Sequence, residues 1–216
     1  GNHGYYTNTT NISKIAYYRN TGTLTQPSFS LVTRDFANVS SYVTTYTLNG
    51  LVPAVGDVDG DGDVDIVLAE QYGKFHKLEN TAGAGNPCNF SLFAYNSFSI
   101  AAPLPALPYP QVIDIDRDGD LDFLVGTRNG KLSYYKNTGT STVFSFIQDS
   151  TVFVGIDVGS YSYPAFVDFD KDGDDDLFIG NSNGTLVFYR NTGSSTNPAF
   201  TLVTSTFNSI DVGLYS

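Results

Sequence analysis

Short apolar segments alternate with polar, glycine-rich turns along the whole chain, and their length and spacing predict strands. Three segments, 65–69, 122–126 and 176–180, are almost continuously apolar after an initial Asp. A continuous apolar run this short is expected of a strand that is buried on both faces. The segment 132–137 instead mixes apolar and polar residues and is typical of a half-buried strand. Because no window has a helical periodicity of sufficient length, the pattern indicates an all-β fold.

The strands recur as a repeat with a period of about 55 residues, as in repeat architectures. Each full unit reads as four short strands, which we label a to d, and strand b is the continuous apolar run. Strand c is rich in aromatic residues and ends in Asn-Thr four times, at Asn20, Asn80, Asn137 and Asn191. Strand d begins at a Phe that follows a turn, at Phe29, Phe90, Phe146 and Phe200.

Four-stranded units at this period predict a β-propeller, in which radial blades leave few exposed strand edges. The predicted units are residues 51–107, 108–161 and 162–216, preceded by a half unit at 1–50 that contains only strands c and d. The proline-rich segment 101–110 falls between strand d of one unit and strand a of the next, so we interpret it as a crossing between blades. About three and a half blades are therefore present, and open strand edges invite association. We expect either a larger propeller or completion by neighbouring molecules.

A loop with an Asp at every second position joins strand a to strand b in each full unit. These loops, at 57–65, 114–122 and 168–176, hold most of the 22 acidic residues of a chain whose net charge is −11. Carboxylates at positions 1, 3, 5 and 9 and the backbone carbonyl of position 7 can converge on one centre, and Gly at position 6 permits the turn. Two like charges about 4 Å apart repel by roughly 4 kcal/mol at an effective dielectric constant near 20, so the loop requires a cation. Hard oxygen ligands in a flexible loop favour Ca²⁺ over Mg²⁺, and no neighbouring His or Cys would select a softer metal.

An EF-hand is the main alternative for an oxygen-rich calcium loop. It requires a bidentate Glu at position 12 and helices on both sides of the loop. Position 12 is instead Leu68, Val125 and Ile179, which lie inside strand b. The sequence therefore excludes an EF-hand.

The loop followed by an apolar strand resembles the FG-GAP/VCBS repeats, which are calcium-binding propeller blades of integrin alpha-subunit heads and of many secreted bacterial proteins. The resemblance covers essentially the whole chain and implies an extracellular location, either secreted or on the cell surface. It also implies three Ca²⁺ sites, with carbonyl ligands at Asp63, Asp120 and Asp174. The implied side-chain ligands are Asp57, Asp59, Asp61 and Asp65; Asp114, Asp116, Asp118 and Asp122; and Asp168, Asp170, Asp172 and Asp176. The chain departs from the pattern at Ala69, where the other units have Gly126 and Gly180, and in its first half unit, which has no loop.

Other residue types favour few additional functions. Cys88 is the single cysteine, so an intrachain disulfide is impossible, and we expect it to be a small buried residue. Neither His3 nor His76 lies in a catalytic pattern, no G-x-S-x-G motif occurs, and the paired carboxylates are committed to metal, so we expect no enzyme activity. No basic patch favours nucleic acid as a partner, and no apolar run reaches the roughly 18 residues of a membrane span.

Strand direction places the loops between strands b and c, and between d and a, on the face opposite the Asp loops. These loops carry Tyr72, Tyr109, Thr127, Arg128, Asn129, Tyr161, Tyr163 and the segment 181–183. Such residues suit recognition of a protein or a glycan, although ordinary turn chemistry also accounts for them. The leading hypothesis is a non-enzymatic extracellular Ca²⁺-binding module for adhesion, protein interaction or surface assembly, with possible self-association through its half-blade ends. The alternatives are a carbohydrate-binding lectin and a non-catalytic propeller attached to a larger secreted enzyme.

Overall fold

The computed structural model describes residues 13–98, 100 and 108–213, and these residues form four antiparallel sheets. The first sheet pairs β1 (Tyr17–Asn20) with β2 (Phe29–Thr33). The strands of the other three sheets are β3 (Val52–Gly56), β4 (Asp65–Ala69), β5 (Phe75–Asn80) and β6 (Phe90–Ala94); β7 (Tyr109–Ile113), β8 (Asp122–Gly126), β9 (Leu132–Asn137) and β10 (Phe146–Asp149); and β11 (Ser162–Val167), β12 (Asp176–Asn181), β13 (Leu186–Asn191) and β14 (Phe200–Thr204). The prediction of an all-β fold built from antiparallel strands is confirmed, apart from one short helix.

Each four-stranded sheet is a meander in which every strand pairs with its sequence neighbours. The Asn that ends strand c lies opposite the Phe that begins strand d in all four sheets: Asn20 and Phe29, Asn80 and Phe90, Asn137 and Phe146, and Asn191 and Phe200. The repeated sequence markers therefore set the same register in every sheet. The crossing predicted at 101–110 lies mostly outside the described residues, which resume at 108.

The second strand of each four-stranded sheet contains no exposed residue, as the continuous apolar runs predict. All five residues of β4 and of β8 are buried. In β4, Ile66 and Leu68 belong to one apolar cluster, and Val67 and Ala69 belong to another on the opposite face. Burial on both faces explains why polar and apolar residues do not alternate along these strands.

The sheets pack side by side through these two faces. One cluster joins sheet β3–β6 to sheet β7–β10 and includes Val67 and Phe123. The next cluster joins sheet β7–β10 to sheet β11–β14 and includes Leu124 and Leu177. The first strands β3, β7 and β11 lie next to one another, which brings the three sheets closest together along this edge.

A helix, α1 (Val39–Tyr46), follows the first sheet after a short 3-10 turn at Phe36–Asn38, and the expectation of no helix is wrong here. Its sequence is rich in β-branched and hydroxyl residues, which have low helix propensity. Val39 and Val43 lie one turn apart on the helix and are buried against the first face of sheet β3–β6. Tertiary burial therefore stabilises a helix that local propensity disfavours. No helix in the described part of the chain is long and apolar enough to cross a membrane.

Candidate metal centre

Each Asp loop connects the first strand of a sheet to the second, and the first Asp of the loop organises its backbone. The Asp57 carboxylate accepts hydrogen bonds from the backbone N–H groups of Gly60 at 2.8 Å, Asp61 at 3.2 Å and Gly62 at 2.9 Å. The later loops repeat this turn, with Gly119 donating to Asp114 at 3.0 Å and Gly173 donating to Asp168 at 3.2 Å. These bonds close the loop into a tight turn.

The glycine at position 6 has the left-handed backbone that the sequence predicts. Its φ is +89° at Gly62 and +97° at both Gly119 and Gly173, a region in which a side chain is strained. Position 4 is also left-handed, at Gly60, Arg117 and Lys171, and the sequence analysis did not foresee this. The two basic residues at this position have no β-branch, which keeps the strain tolerable.

The turn gathers three carboxylates from each loop to within 4.8 Å of one another. The three groups are Asp57, Asp59 and Asp61; Asp114, Asp116 and Asp122; and Asp168, Asp170 and Asp172. The Asp residues at positions 1 and 3 thus belong to the carboxylate group in every loop. The Asp at position 5 belongs to it in two loops, and the Asp at position 9 in one. The remaining predicted side-chain ligands, Asp65, Asp118 and Asp176, lie in the same loops but outside these groups.

The Asp at position 9 is buried and braces the loop against the sheet. Asp65 accepts hydrogen bonds from the backbone N–H groups of Val58 at 3.2 Å and Asn80 at 2.8 Å. Asp122 repeats both contacts and also accepts the hydroxyl of Tyr134 at 2.9 Å. Burial is the main cause that raises the pKa of Asp65 to about 6. Burial is also the main cause that raises the pKa of Asp122 to about 6. This residue therefore connects the start of the loop to the end of strand c, a role that its place in the motif does not reveal.

A basic side chain from the third strand contacts the Asp at position 3 in every loop. Lys77 Nζ lies 2.9 Å from Asp59 Oδ2, and Arg190 Nε lies 3.1 Å from Asp170 Oδ2. In the middle loop the ammonium of Lys136 donates to Asp116 Oδ2. The sequence analysis missed these pairs, although Lys136 and Arg190 both directly precede the marker Asn of strand c.

Several loop oxygens fit a bound divalent cation. Asp59 Oδ1, Asp116 Oδ1, Asp168 Oδ1 and Asp174 Oδ1 are buried and have no hydrogen-bond partner among the described residues. A buried carboxylate oxygen without a partner is costly, and a cation with oxygen ligands removes that cost. The seventh residues, Asp63, Asp120 and Asp174, are held in the same turn because the backbone N–H of each donates to the Asp at position 5, at 2.9, 3.1 and 3.1 Å.

Residues 114–179, which include two of the three loops, match the family model described as FG-GAP-like repeat. This segment is similar to an FG-GAP-like repeat. The resemblance drawn from the sequence is thereby confirmed. A search of the curated proteins found no match.

The face opposite the Asp loops brings together four of the predicted recognition residues. The ring centroid of Tyr109 lies 4.3 Å from that of Tyr163 and 6.3 Å from that of Tyr161. The rings of Tyr161 and Tyr163 are nearly parallel, and the Arg128 guanidinium lies 6.0 Å from the centroid of Tyr161. Burial, and then a hydrogen bond to Tyr163, raise the pKa of Tyr109 above its ordinary value. We call Tyr109, Arg128, Tyr161 and Tyr163 the tyrosine cluster.

Hydrogen bonds fix the backbone beneath the tyrosine cluster. The N–H of Tyr161 donates to the carbonyl of Arg128 at 2.9 Å, and the N–H of Ser162 donates to that of Thr127 at 3.0 Å. The buried Ser162 hydroxyl accepts from the N–H of Thr127 at 2.7 Å and donates to the carbonyl of Lys131 at 2.6 Å. The turn after β8 and the start of β11 therefore form one rigid platform. Tyr72 is exposed on the corresponding turn of the first full unit, and the segment 181–183 forms that of the third.

The histidine and cysteine expectations have different outcomes. His76 is fully buried in β5, and burial lowers its pKa to about 4. His3 lies outside the described residues. Cys88 is exposed in the turn between β5 and β6, so the expectation that it is buried is wrong. Cys88 directly follows Gly85-Asn86-Pro87 within this turn, and such turn residues keep the segment at the surface.

Proposed function

We propose that this chain is a non-enzymatic, extracellular β-propeller module that binds Ca²⁺ in its three Asp loops and presents a protein-binding face on the opposite side. The observation that carries the proposal is the threefold repetition of a carboxylate group with a buried, unpartnered oxygen. The FG-GAP-like repeat supports an interaction module of propeller type and an extracellular location. The commitment of the loop carboxylates to turn contacts and basic side chains argues against acid–base chemistry there.

Sheet packing supports a propeller arrangement of the blades. Four-stranded meanders lie side by side, and their first strands β3, β7 and β11 are adjacent. In a propeller the first strand of each blade lies nearest the axis, and the blades pack through their faces. The shared register of the sheets is consistent with one blade design used repeatedly.

Calcium would be held by the aspartates at positions 1, 3, 5 and 9, together with the carbonyl of position 7. When bound, it would supply positive charge that offsets the repulsion among these carboxylates. The chain's own residues prepare this site: position 1 closes the turn and position 9 ties it to the sheet. The basic partner of position 3 compensates the negative charge of that carboxylate in the metal-free loop. The loops thus support the scaffold, and ligand binding takes place elsewhere.

Calorimetric titration of the metal-stripped chain tests this assignment. We expect three Ca²⁺ ions to bind per chain, and two in the Asp114→Asn variant, which weakens one loop at its first position. Mg²⁺ should bind more weakly, because these loops lack strict octahedral geometry. A titration without heat and without competition for a calcium dye would refute the metal assignment.

The tyrosine cluster is the best-supported binding surface on the opposite face. Tyrosine offers a large, stiff contact area with a polar end, and it is enriched at binding sites for that reason. The half-exposed Tyr163 offers an aromatic contact area, and the exposed Arg128 offers hydrogen-bond donors. Both stand on the platform that the backbone hydrogen bonds fix. A protein ligand is our primary proposal for this surface.

The same cluster also favours the second candidate function, a carbohydrate-binding lectin, since flat aromatic faces beside a hydrogen-bond donor suit a sugar ring. A glycan array probed with the intact chain, with and without calcium, separates the two. Selective glycan binding that disappears in Tyr163→Ala but persists in Tyr72→Ala would establish the lectin. An array without binding favours the protein-interaction module.

A further inference from the structure

The three Asp loops share one motif, but strand c gives each of them different neighbours. The residue three places before the marker Asn lies opposite the third residue of strand b in every full unit, and it is Lys77, Tyr134 or Phe188. The residue directly before the marker Asn is Glu79, Lys136 or Arg190. The same spacing of aspartates is therefore placed in three chemically different surroundings.

The middle loop receives the most contacts from its strand c. The ammonium of Lys136 donates to Asp116 Oδ2 and lies 3.6 Å from Asp118 Oδ2. The hydroxyl of Tyr134 donates to Asp122 Oδ2 at 2.9 Å. Strand c thus supplies a donor to three of the four side chains that we assign to calcium in this loop, those at positions 3, 5 and 9.

The first loop has a single basic neighbour, and that charge is shared. Lys77 Nζ lies 2.9 Å from Asp59 Oδ2 and 2.7 Å from Glu79 Oε2. Because Glu79 pairs with the same ammonium, Lys77 offsets less of the negative charge of the loop. The position 9 residue, Asp65, accepts backbone N–H groups alone in the described part of the chain.

The third loop is contacted by an exposed arginine and by no tyrosine in the described part of the chain. Arg190 Nε lies 3.1 Å from Asp170 Oδ2, but the two side chains are 47% and 28% exposed, so solvent screens the pair. Phe188 stands where the middle loop has its tyrosine and offers no hydroxyl. Two buried oxygens of this loop, Asp168 Oδ1 and Asp174 Oδ1, have no hydrogen-bond partner among the described residues, whereas each of the other loops has one such oxygen.

The grouping of carboxylates also sets the middle loop apart. In the first and third loops the group consists of positions 1, 3 and 5, whereas in the middle loop it consists of positions 1, 3 and 9. The position 5 residue of the middle loop is Asp118, which stands outside the group and near Lys136. A predicted ligand is therefore paired with a cation of the protein itself.

Position 4 does not separate the middle loop from the third. This position is Arg117 in one and Lys171 in the other, and both have a left-handed backbone. The ion pair of Arg117 is with Asp175 of the third loop, at 3.7 Å. The contrast between the loops therefore depends on strand c.

We propose that the middle loop is the weakest of the three calcium sites and fills only at free Ca²⁺ concentrations that already saturate the other two. The proposal rests on the calcium assignment made above. An incoming cation must displace the Lys136 ammonium or bind beside it, and repulsion between like charges opposes both. The Tyr134 hydroxyl already uses part of the acceptor capacity of Asp122.

The same two donors support the middle loop when it is empty. They supply part of the positive charge and hydrogen bonding that the other loops obtain from the metal, so the middle loop keeps its turn without calcium. Calcium at the first and third loops is therefore structural. Occupancy of the middle loop instead follows the calcium concentration, which makes this loop the regulated site of the chain.

Calorimetric titration of the intact, metal-stripped chain tests the order of binding. We expect two tightly bound ions and a third that binds about tenfold or more weakly. Asp114→Asn should abolish the weak phase and leave the two tight ions in place. Asp57→Asn and Asp168→Asn should each remove one tight ion and keep the weak phase.

Two further variants test the cause. Tyr134→Phe gives the middle loop the residue of the third unit, and Lys136→Met removes the paired charge. Each should tighten the weak phase by about threefold or more without changing the two tight sites. Tyr135→Phe is the matched control, because it removes a hydroxyl from the opposite face of β9, where the ring packs with Phe123. It should bind calcium like the parent.

Three sites of equal affinity, loss of a tight ion in Asp114→Asn, or a weak phase that neither Tyr134→Phe nor Lys136→Met tightens would each overturn the proposal. A chain that binds no calcium refutes the metal assignment itself, whereas three equal sites leave that assignment standing and overturn only the order. If Asp114→Asn fails to fold by circular dichroism, the parent titration and the two variants of strand c decide the question with Tyr135→Phe as their control.

Discussion

At the scale of single residues, His76 shows how burial creates pH dependence. Its Nδ1 accepts the backbone N–H of Asn96 at 3.0 Å, and its ring stacks against Tyr95 and Phe93. Burial, and to a lesser extent the charge of Lys74, lower its pKa to about 4. The neutral imidazole is therefore the form that the fold accommodates.

We predict that this histidine destabilises the protein in mild acid. The unfolded chain takes up a proton near pH 6.5 while the folded chain remains neutral down to about pH 4. The free energy of unfolding should therefore fall as the pH drops from 6.5 to 4, by up to about 3 kcal/mol from this group. Urea denaturation at pH 7 and pH 5 measures the loss.

The His76→Gln variant is the control for this prediction, because it retains an acceptor for the Asn96 N–H and does not titrate. The difference in stability between variant and parent should move in the variant's favour as the pH falls. A difference that does not change with pH would contradict the account of His76.

The basic partner of position 3 is the second residue with a separable effect. Lys136 donates to Asp116 in the middle loop, and this hydrogen bond raises the pKa of Lys136. In the metal-free protein the ammonium compensates the carboxylates, but it also repels an incoming cation. Lys136→Met should therefore lower the melting temperature of the metal-free chain by about 2–4 °C. It should also tighten calcium binding at that loop.

The exposed Lys131 provides the matched control, since Lys131→Met removes a positive charge at the other end of β9, away from the Asp loop. Lys131→Met should leave both the melting temperature of the metal-free chain and the calcium affinity of the middle loop close to those of the parent. Weaker calcium binding in Lys136→Met would show that the lysine orients the ligand more than it competes with the metal.

At the scale of the elements, close contact between β8 and β11 depends on a glycine. A Cβ on Gly126 would lie 2.0 Å from the carbonyl oxygen of Ser162, whereas a Cβ on Gly180 would lie no nearer than 3.7 Å to Tyr163 Cβ. The backbone of Ser162 cannot move aside for the added Cβ as a flexible side chain could. We expect Gly126→Ala to lower the free energy of unfolding by about 2–3 kcal/mol, and Gly180→Ala to have little effect. Comparable denaturation midpoints for the two variants would contradict this packing.

The elements that local pattern determines could be predicted from the sequence. The continuous apolar runs identify β4, β8 and β12, and the Asp spacing identifies the loops, because both depend on residues that are adjacent in the chain. Helix α1 could not be predicted, since Val39 and Val43 are stabilised by a sheet formed later in the sequence. The same reason applies to the basic partners of position 3, which lie far along the chain from the Asp that they contact.

The candidate site was predictable in its motif but not in its detailed division of roles. The left-handed glycines follow directly from the tight turn at position 6. The buried brace formed by Asp65 depends instead on the N–H of Asn80, which strand pairing brings to the loop. Motif spacing gives the side chains at positions 1, 3, 5 and 9 one common role. In the folded loops position 9 also supports the turn, and of its three residues only Asp122 belongs to a carboxylate group.

At the scale of the whole molecule, the charge of the chain is distributed to suit metal binding. The net charge is −11, and three bound Ca²⁺ ions would change it to −5 (−11 + 6). This change would be concentrated in the loops that lead into the buried second strands, where the carboxylates of one loop repel one another. The sheets repeat one interface along the array, so the stability gained at each loop supports its neighbours through the shared apolar clusters.

Thermal denaturation with and without calcium tests the central claim most directly. Three sites that bind only the folded chain should raise its melting temperature by about 10 °C or more at saturating calcium. Excess EGTA should reverse the increase, and added Mg²⁺ should not restore it fully. A melting curve that is the same in excess EGTA and in saturating calcium would contradict the claim that calcium stabilises these loops.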